Sequence, residues 1–170
     1  MTLQNVPLSE SQEPFAAEVQ IVPATDADIP AAVALLSGNA VGSRVGVETG
    51  DPEPYRAALR RMQAGGATTL FVARPEGAEP GVIAGMFELT VLTGLSYVGQ
   101  PRAKLESVHV APDWQRRGIG RTMMAFAEAR ARALGCVLLQ LSSNKERAGA
   151  HRFYTALGYE ASHIGFKRML

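Results

Sequence analysis

The 170-residue chain carries 17 basic and 16 acidic side chains, and 46% of its residues are hydrophobic. That length fits a single domain able to bury a core without disulfide or metal staples. The near balance of charge argues against a basic nucleic-acid-binding face, and no apolar run approaches the roughly 20 residues that cross a bilayer.

The lone cysteine, Cys136, has no internal partner. It sits in the hydrophobic run Cys136-Val137-Leu138-Leu139, a setting for a buried, inert thiol rather than a reactive one. No basic segment followed by an apolar one opens the chain, so a cytoplasmic protein is expected.

Residues 1–17 are polar, interrupted by Pro7 and Pro14, and read as a flexible N-terminal arm. A single domain is expected over 18–170. Val19–Val22 is a short strand candidate. Thr25 stands three residues before Asp28, the spacing of a capping box, and predicts a helix over 26–37 stopped by Gly38. Gly38–Asp51 is glycine-rich and aperiodic, and is read as a mobile loop or lid. Pro52 suits the first turn of a second helix carrying Tyr55, Leu59 and Met62 and ending at Gly65-Gly66.

Strands are then predicted over 68–73, 82–92 and 102–110, the first two as a hairpin. After the last of these, Ile119, Met123, Phe126, Ala127 and Leu134 form one apolar stripe of a helix that Gly135 ends. Cys136–Leu141 follows as a buried strand. Strand, helix, strand in this order predicts a βαβ-like crossover and a neighbouring parallel pair. Ser143 and Glu146 have capping-box spacing before a last helix with Ala150, Phe153, Tyr154 and Leu157 on one face. Tyr159–Leu170 alternates enough for a final strand. The pattern is that of a mixed α/β domain.

The stretch Val108–Arg121, VHVAPDWQRRGIGR, joins a strand, a glycine-bearing turn and a helix N-terminus. A helix N-terminus offers unpaired N–H groups and the positive end of its dipole. Glycines admit close approach to the backbone, and Arg116 and Arg117 supply charge suited to phosphate. A pyrophosphate is the expected ligand. A P-loop is set aside, because Gly120 is followed by Arg121-Thr122 with no matching upstream glycine. His109, His151 and His163 have no metal-site spacing. His163 is a candidate for lining an acceptor pocket, and Trp114 for a packing prop.

Gln115-Arg116-Arg117-Gly118-Ile119-Gly120 matches the Q/R-x-x-G-x-G/A pattern of the GNAT superfamily of N-acetyltransferases. Asn144, Ala150-His151-Arg152-Phe153-Tyr154 and Leu157-Gly158-Tyr159 resemble that family's closing motif. Ile21–Asp28 resembles its opening strand and helix, so the resemblance covers about residues 19–170. It implies a mixed central sheet of about six or seven strands with flanking helices. Two parallel strands, here ending at Val110 and Leu141, would splay at the cofactor site. It also implies acetyl-CoA as donor, with no metal, and a primary amine as acceptor. The pyrophosphate would sit on the amides from Arg116 through Arg117, Gly118, Ile119 and Gly120 to Arg121. The pantetheine arm would pair with Val108, His109 and Val110 and touch Asn144, which is equally a helix-cap candidate.

An alkyl ammonium has a pKa of about 10 and needs a base, while a departing thiolate of pKa roughly 8.5 leaves better when protonated. A developing oxyanion also wants a backbone N–H, which Val108–Val110 can offer. Glu106 is the candidate base, read by period-2 alternation as sharing a face with Val108 and Val110 and opposing His109. The alternative is a solvated edge charge. Tyr154 is the candidate acid, a role the resemblance implies, against that of a core tyrosine. Transfer is expected to be direct, since Cys136 is a poor covalent nucleophile. The closing Ser162–Lys167 resembles small bacterial acetyltransferases and favours a small-molecule amine over a protein N-terminus or lysine. A non-catalytic acyl-CoA sensor on the same fold is the rival reading. No nucleic-acid or membrane partner is expected, and a homodimer is compatible with the family.

Overall fold

Four antiparallel strands and one short parallel strand organise the chain. In the computed structural model, which describes residues 19–42, 45–48 and 50–169, they form one sheet in the order β1-β2-β3-β4-β5. The strands are β1 (Val19–Pro23), β2 (Thr68–Pro75), β3 (Gly85–Leu92), β4 (Arg102–Val110) and β5 (Leu139–Leu141). The helices are α1 (Ile29–Gly38), α2 (Glu53–Gly65), α3 (Ile119–Ala133) and α4 (Ala148–Ala156). The predicted arm lies outside the described residues.

Alternation along β2 sorts the core onto the two faces of the sheet. Phe71 and Ala73 join Phe87, Leu105, Met123 and Met124 under α3. Leu70 and Val72 join Ile29, Val33, Leu59 and Met86 under α1 and α2. On the α3 side Phe71 stacks on Phe87 with ring centroids 5.3 Å apart, and Phe126 meets Phe71 edge-on at 5.2 Å. The α3 stripe is close to the predicted one, but Met124 and Ala131 are buried while Leu134 is 40% exposed. The helix ends at Ala133, so Leu134 leaves the helical period.

The predicted capping box is present. The Asp28 carboxylate accepts from the Thr25 N–H and hydroxyl, each at 2.8 Å. A 3-10 turn over Asp26–Asp28 precedes α1. Asp28 is wholly buried, accepts from the Gly81 N–H at 2.8 Å and pairs with Arg74 at 2.9 Å. One carboxylate therefore ties the start of α1 to β2 and to the turn before β3.

The crossover from β4 through α3 to β5 is parallel as predicted, with Ala103, Lys104 and Leu105 opposite Leu139, Gln140 and Leu141. Two expectations are corrected. The sheet has five strands, fewer than six or seven, because residues 159–169 form no ladder among the described residues. A strand needs a partner for its backbone groups, and this segment, broken by Gly165, runs exposed from Glu160 onward. The last helix begins at Ala148 rather than beside Ser143. Asn144 instead closes a local turn, its Oδ1 accepting from the Glu146 N–H at 2.9 Å and its carbonyl from the Arg147 N–H at 3.0 Å.

Candidate active site

The site is built where β4 outruns its parallel neighbour. Pairing with β5 stops at Leu105 opposite Leu141. From Glu106 to Val110, β4 continues with no β5 partner on that edge among the described residues. This is the splay expected of the two parallel strands. Its backbone edge offers N–H and C=O groups in an extended array to a ligand able to pair like a strand.

A β-bulge in β4 changes which side chains flank that edge. Met86 pairs with His109 and Glu88 with Glu106, so Phe87 stands opposite both Ser107 and Val108. Ser107 adopts φ 52°, left-handed for a residue that is not glycine. Directly paired residues share a face. Glu106 therefore shares Glu88's face, toward α1 and α2, and His109 shares that of Met86. Val108 and Val110 pack against the α3-side core. The predicted face sharing is thus corrected: the extra residue moves Val108 and Val110 away from Glu106 and brings His109 to Glu106's side. His109 is buried.

On that face lies a cavity of about 200 Å³. Its walls include Leu36, Tyr55, Met62 and Met86, and Glu88 and Ser107 form its polar end. Glu106 lies beside this end, about half exposed and ion-paired to Lys104 at 3.0 Å. Glu88 and Ser107 were missed in the sequence. Glu88 looks like an ordinary alternating strand residue, and only the register with Glu106 sets two carboxylates side by side. Ser107 becomes a site residue only through the bulge.

Beyond Val110, Pro112–Trp114 makes a 3-10 turn and the chain enters the glycine motif. Gln115 donates to the Val110 carbonyl at 3.3 Å, fastening the turn to the end of β4. Arg116 has φ 60° and Gly118 φ 82°. These left-handed residues swing the chain into α3, a conformation that suits glycine at Gly118. The first α3 bond runs from the Thr122 N–H to the Gly118 carbonyl at 3.0 Å. The amides of Ile119, Gly120 and Arg121 precede it and face the helix entrance. Arg116, Arg117 and Arg121 are exposed around it, with the Arg117 guanidinium 5.2 Å from the Trp114 ring. Trp114 packs against the core, the expected prop. Gly120 has a different reason from Gly118: a Cβ there would lie 3.2 Å from the Phe153 ring. Its missing Cβ admits α4.

Tyr154 lies on α4, in edge contact with Phe153 at 5.3 Å and Tyr159 at 6.0 Å. Burial raises its pKa above the ordinary 10.0, and the nearby positive charge of Arg147 only partly opposes this. Its hydroxyl stays protonated at neutral pH. Arg147 is not a surface arginine. It donates to the carbonyl of Asn39. A Cβ at Gly42 would lie 3.1 Å from Nδ2 of Asn144. The start of the 38–51 loop is therefore pinned to the turn before α4, while residues 43, 44 and 49 lie outside the described set. Tyr55 holds Glu48 at 2.8 Å. His151 contacts the Asn144 carbonyl at 2.9 Å. His163 is exposed and is not among the residues lining the cavity. Cys136 is half-buried, and burial raises its thiol pKa, the opposite of what a nucleophile needs.

A parallel pair ending in an open edge, a glycine turn at a helix N-terminus and a cavity with Glu88 at its polar end are set on one mixed α/β fold. Residues 26–159 match the model of the acetyltransferase (GNAT) family, and the chain belongs to that family. It is 34% identical over 93 residues to an aminoalkylphosphonate N-acetyltransferase of Salmonella typhimurium, covering 53% of this chain and 58% of that protein. It is 38% identical over 60 residues to an aminoglycoside N(6')-acetyltransferase type 1 of Stenotrophomonas maltophilia, covering 35% and 39%. The matched region thus spans about half the length of these relatives. Among solved structures, one described as a transcriptional regulator from Bacillus halodurans C-125 superposes with TM-score 0.80 at 32% identity, over 89% of this chain and 99% of that one. A glucosamine-6-phosphate N-acetyltransferase from Arabidopsis thaliana shares the fold, with TM-score 0.71 at 17% identity, over 89% and 97%. No helix among the described residues is long and apolar enough to cross a membrane.

Proposed function

We propose that this protein transfers an acetyl group from acetyl-CoA directly to the primary amine of a small molecule. The observation that carries this reading is the open edge of β4 from Glu106 to Val110, leading into the amides at the start of α3. An extended pantetheine arm fits the edge, and a pyrophosphate fits the helix entrance with Arg116, Arg117 and Arg121 around it. Asn144, in the turn before α4, is assigned to the pantetheine. The names of the two curated relatives support a small-molecule amine as acceptor. The cavity on the other face of β4 is where we seat it, with Glu88 and Glu106 attracting its ammonium group.

In this reading Glu106 accepts the proton of the ammonium, directly or through a water. The amine nitrogen then bonds to the acetyl carbon as the carbon–sulfur bond breaks. Tyr154 gives its proton to the departing sulfur and is restored by the proton that the acylated nitrogen sheds, while the proton on Glu106 is released to solvent. The raised pKa of Tyr154 supports its role, because the hydroxyl is protonated when the thiolate forms. A backbone N–H from the Val108–Val110 edge meets the developing oxyanion. The raised thiol pKa of half-buried Cys136 supports direct transfer, and a lone reduced thiol fits a cytoplasmic setting.

The test is a panel of amines with acetyl-CoA, following release of free thiol, for the wild type beside Glu106→Gln and Tyr154→Phe. Turnover with at least one small amine, reduced in both variants, is expected. Undiminished turnover in both would overturn the roles assigned here. A second reading, a non-catalytic acyl-CoA-binding sensor, draws on the Bacillus halodurans likeness. It predicts CoA binding with no thiol release for any amine.

A further inference from the structure

The cavity beside the open edge of β4 is shaped for one kind of guest. It begins at Ser107 in β4 and Glu88 in β3, and it reaches under α1 and α2 as far as Leu70 in β2. Two strand spacings make that reach roughly 10 Å. Away from Glu88 and Ser107 the walls are hydrocarbon and thioether: Val33 and Leu36 of α1, Ala58 and Met62 of α2, and Met86 of β3. Tyr55 also lines the cavity, while its hydroxyl donates to Glu48 at 2.8 Å.

Among the described residues, no lysine or arginine lines this cavity. Basic side chains on the same elements are engaged elsewhere: Arg74 with Asp28 at 2.9 Å, Lys104 with Glu106 at 3.0 Å and Arg60 with Glu53 at 2.7 Å. A phosphonate or carboxylate placed here would meet hydrocarbon and the Glu88 carboxylate. The hydroxyls of a sugar would leave hydrogen bonds unmade. A single ammonium at the Glu88 end is matched in charge, and an apolar body behind it is removed from water. The volume of about 200 Å³ falls below the roughly 300–1,000 Å³ of sites for drug-sized ligands, so that body is compact.

We infer that the acceptor is a monoamine with a compact apolar body, a short alkyl chain or one aromatic ring, and no anionic group. This rests on the acetyl-transfer reading, which seats the acceptor in this cavity, and it names the class of amine. Glu88 is then a specificity-determining residue. It pairs across the ladder with Glu106, so an ammonium held at Glu88 stands beside the base and next to the open edge of β4. Ala58, half-buried in the α2 wall, is small, and its size sets the room left for the body.

With acetyl-CoA in excess, kcat/KM is compared for ethylamine, butylamine, phenethylamine, 2-aminoethylphosphonate and glucosamine. Each added methylene should raise it about fourfold, and phenethylamine should exceed the phosphonate and the sugar by about 100-fold. Ala58→Leu should lower the value for phenethylamine about tenfold and leave that for ethylamine within about twofold. Glu88→Gln should weaken binding of phenethylamine about tenfold and leave that of the uncharged 2-phenylethanol unchanged. Weakening of both would make Glu88 merely structural. A flat series in the wild type, or a preference for the phosphonate or the sugar, overturns the inference whether or not the variants fold. So do equal losses for ethylamine and phenethylamine in Ala58→Leu. The transfer reading fails separately, if no amine releases thiol. The cavity is then read by binding, as the rise in Tm that each compound adds to the CoA-bound protein. A rise with phenethylamine and none with the phosphonate upholds the chemistry inferred for the cavity, and equal rises or none overturn it.

Discussion

At the scale of single residues, the proposed chemistry rests on two side chains in unlike settings. Tyr154 is enclosed and kept protonated, so Tyr154→Phe is expected to lower kcat by about 100-fold while leaving KM for acetyl-CoA unchanged. The wild-type kcat should hold its plateau until above pH 10, because an acid must be protonated to act and burial raises this hydroxyl beyond its ordinary 10.0. A pH series of kcat on both proteins checks this. Glu106 is more open, and Glu106→Gln should lower kcat most at low pH, where less of the amine is already deprotonated. Gly85 is a purely structural case. A Cβ there would sit 2.7 Å from the His109 carbonyl oxygen and 2.8 Å from the Met123 sulfur. The carbonyl belongs to the paired strand and cannot yield, so Gly85→Ala should cost about 3 kcal/mol in urea unfolding. Tyr154 and Glu106 could be singled out in the sequence because they stand beside a motif. Glu88, Ser107 and Gly85 could not, since what makes each matter is a partner on another strand.

At the scale of elements, the Asp28 network shows how a local signal acquires a long-range role. The capping-box spacing was legible, but the ion pair with Arg74 and the bond from Gly81 join residues 46 and 53 positions apart. Burial raises the Asp28 pKa, and the hydrogen bonds from the Thr25 and Gly81 amides, Arg74 and the Thr25 hydroxyl more than offset it, leaving the carboxyl below its ordinary 3.8. A depressed carboxyl contributes stability that is complete above its unfolded value and is lost as pH falls through the lower folded value. Asp28→Asn should cost roughly 3 kcal/mol near neutral pH by leaving Arg74 without its charge partner. Below about pH 4 the difference from wild type should shrink, as urea midpoints measured between pH 6 and 2 will test. The β4 bulge is the opposite case. Nothing in Leu105–Val110 announces an extra residue, and simple alternation assigned Val108 and His109 to the wrong faces.

At the scale of the whole molecule, the two faces of the sheet divide the labour. The α3 side carries the larger core and the glycine turn, and the α1 and α2 side carries the cavity. If CoA spans the open edge and the helix entrance, it binds only the folded state. At a concentration about 100 times its Kd it should add about 2.7 kcal/mol. In a chain of this size that is roughly 5–10 °C in Tm, readable by thermal scanning. An unchanged Tm at every CoA concentration would count against the donor site.

The order of elements, the parallel crossover and the glycine turn were all readable from residues close together in the chain. Caps, periodicities and turn glycines act over a few positions, so their physics is complete within the local sequence. The face that Glu106 shares, the carboxylate beside it, the number of strands and the fate of the C-terminal segment were not. Each depends on which backbone groups find partners across the sheet, and a single extra residue in a ladder reverses every side chain beyond it.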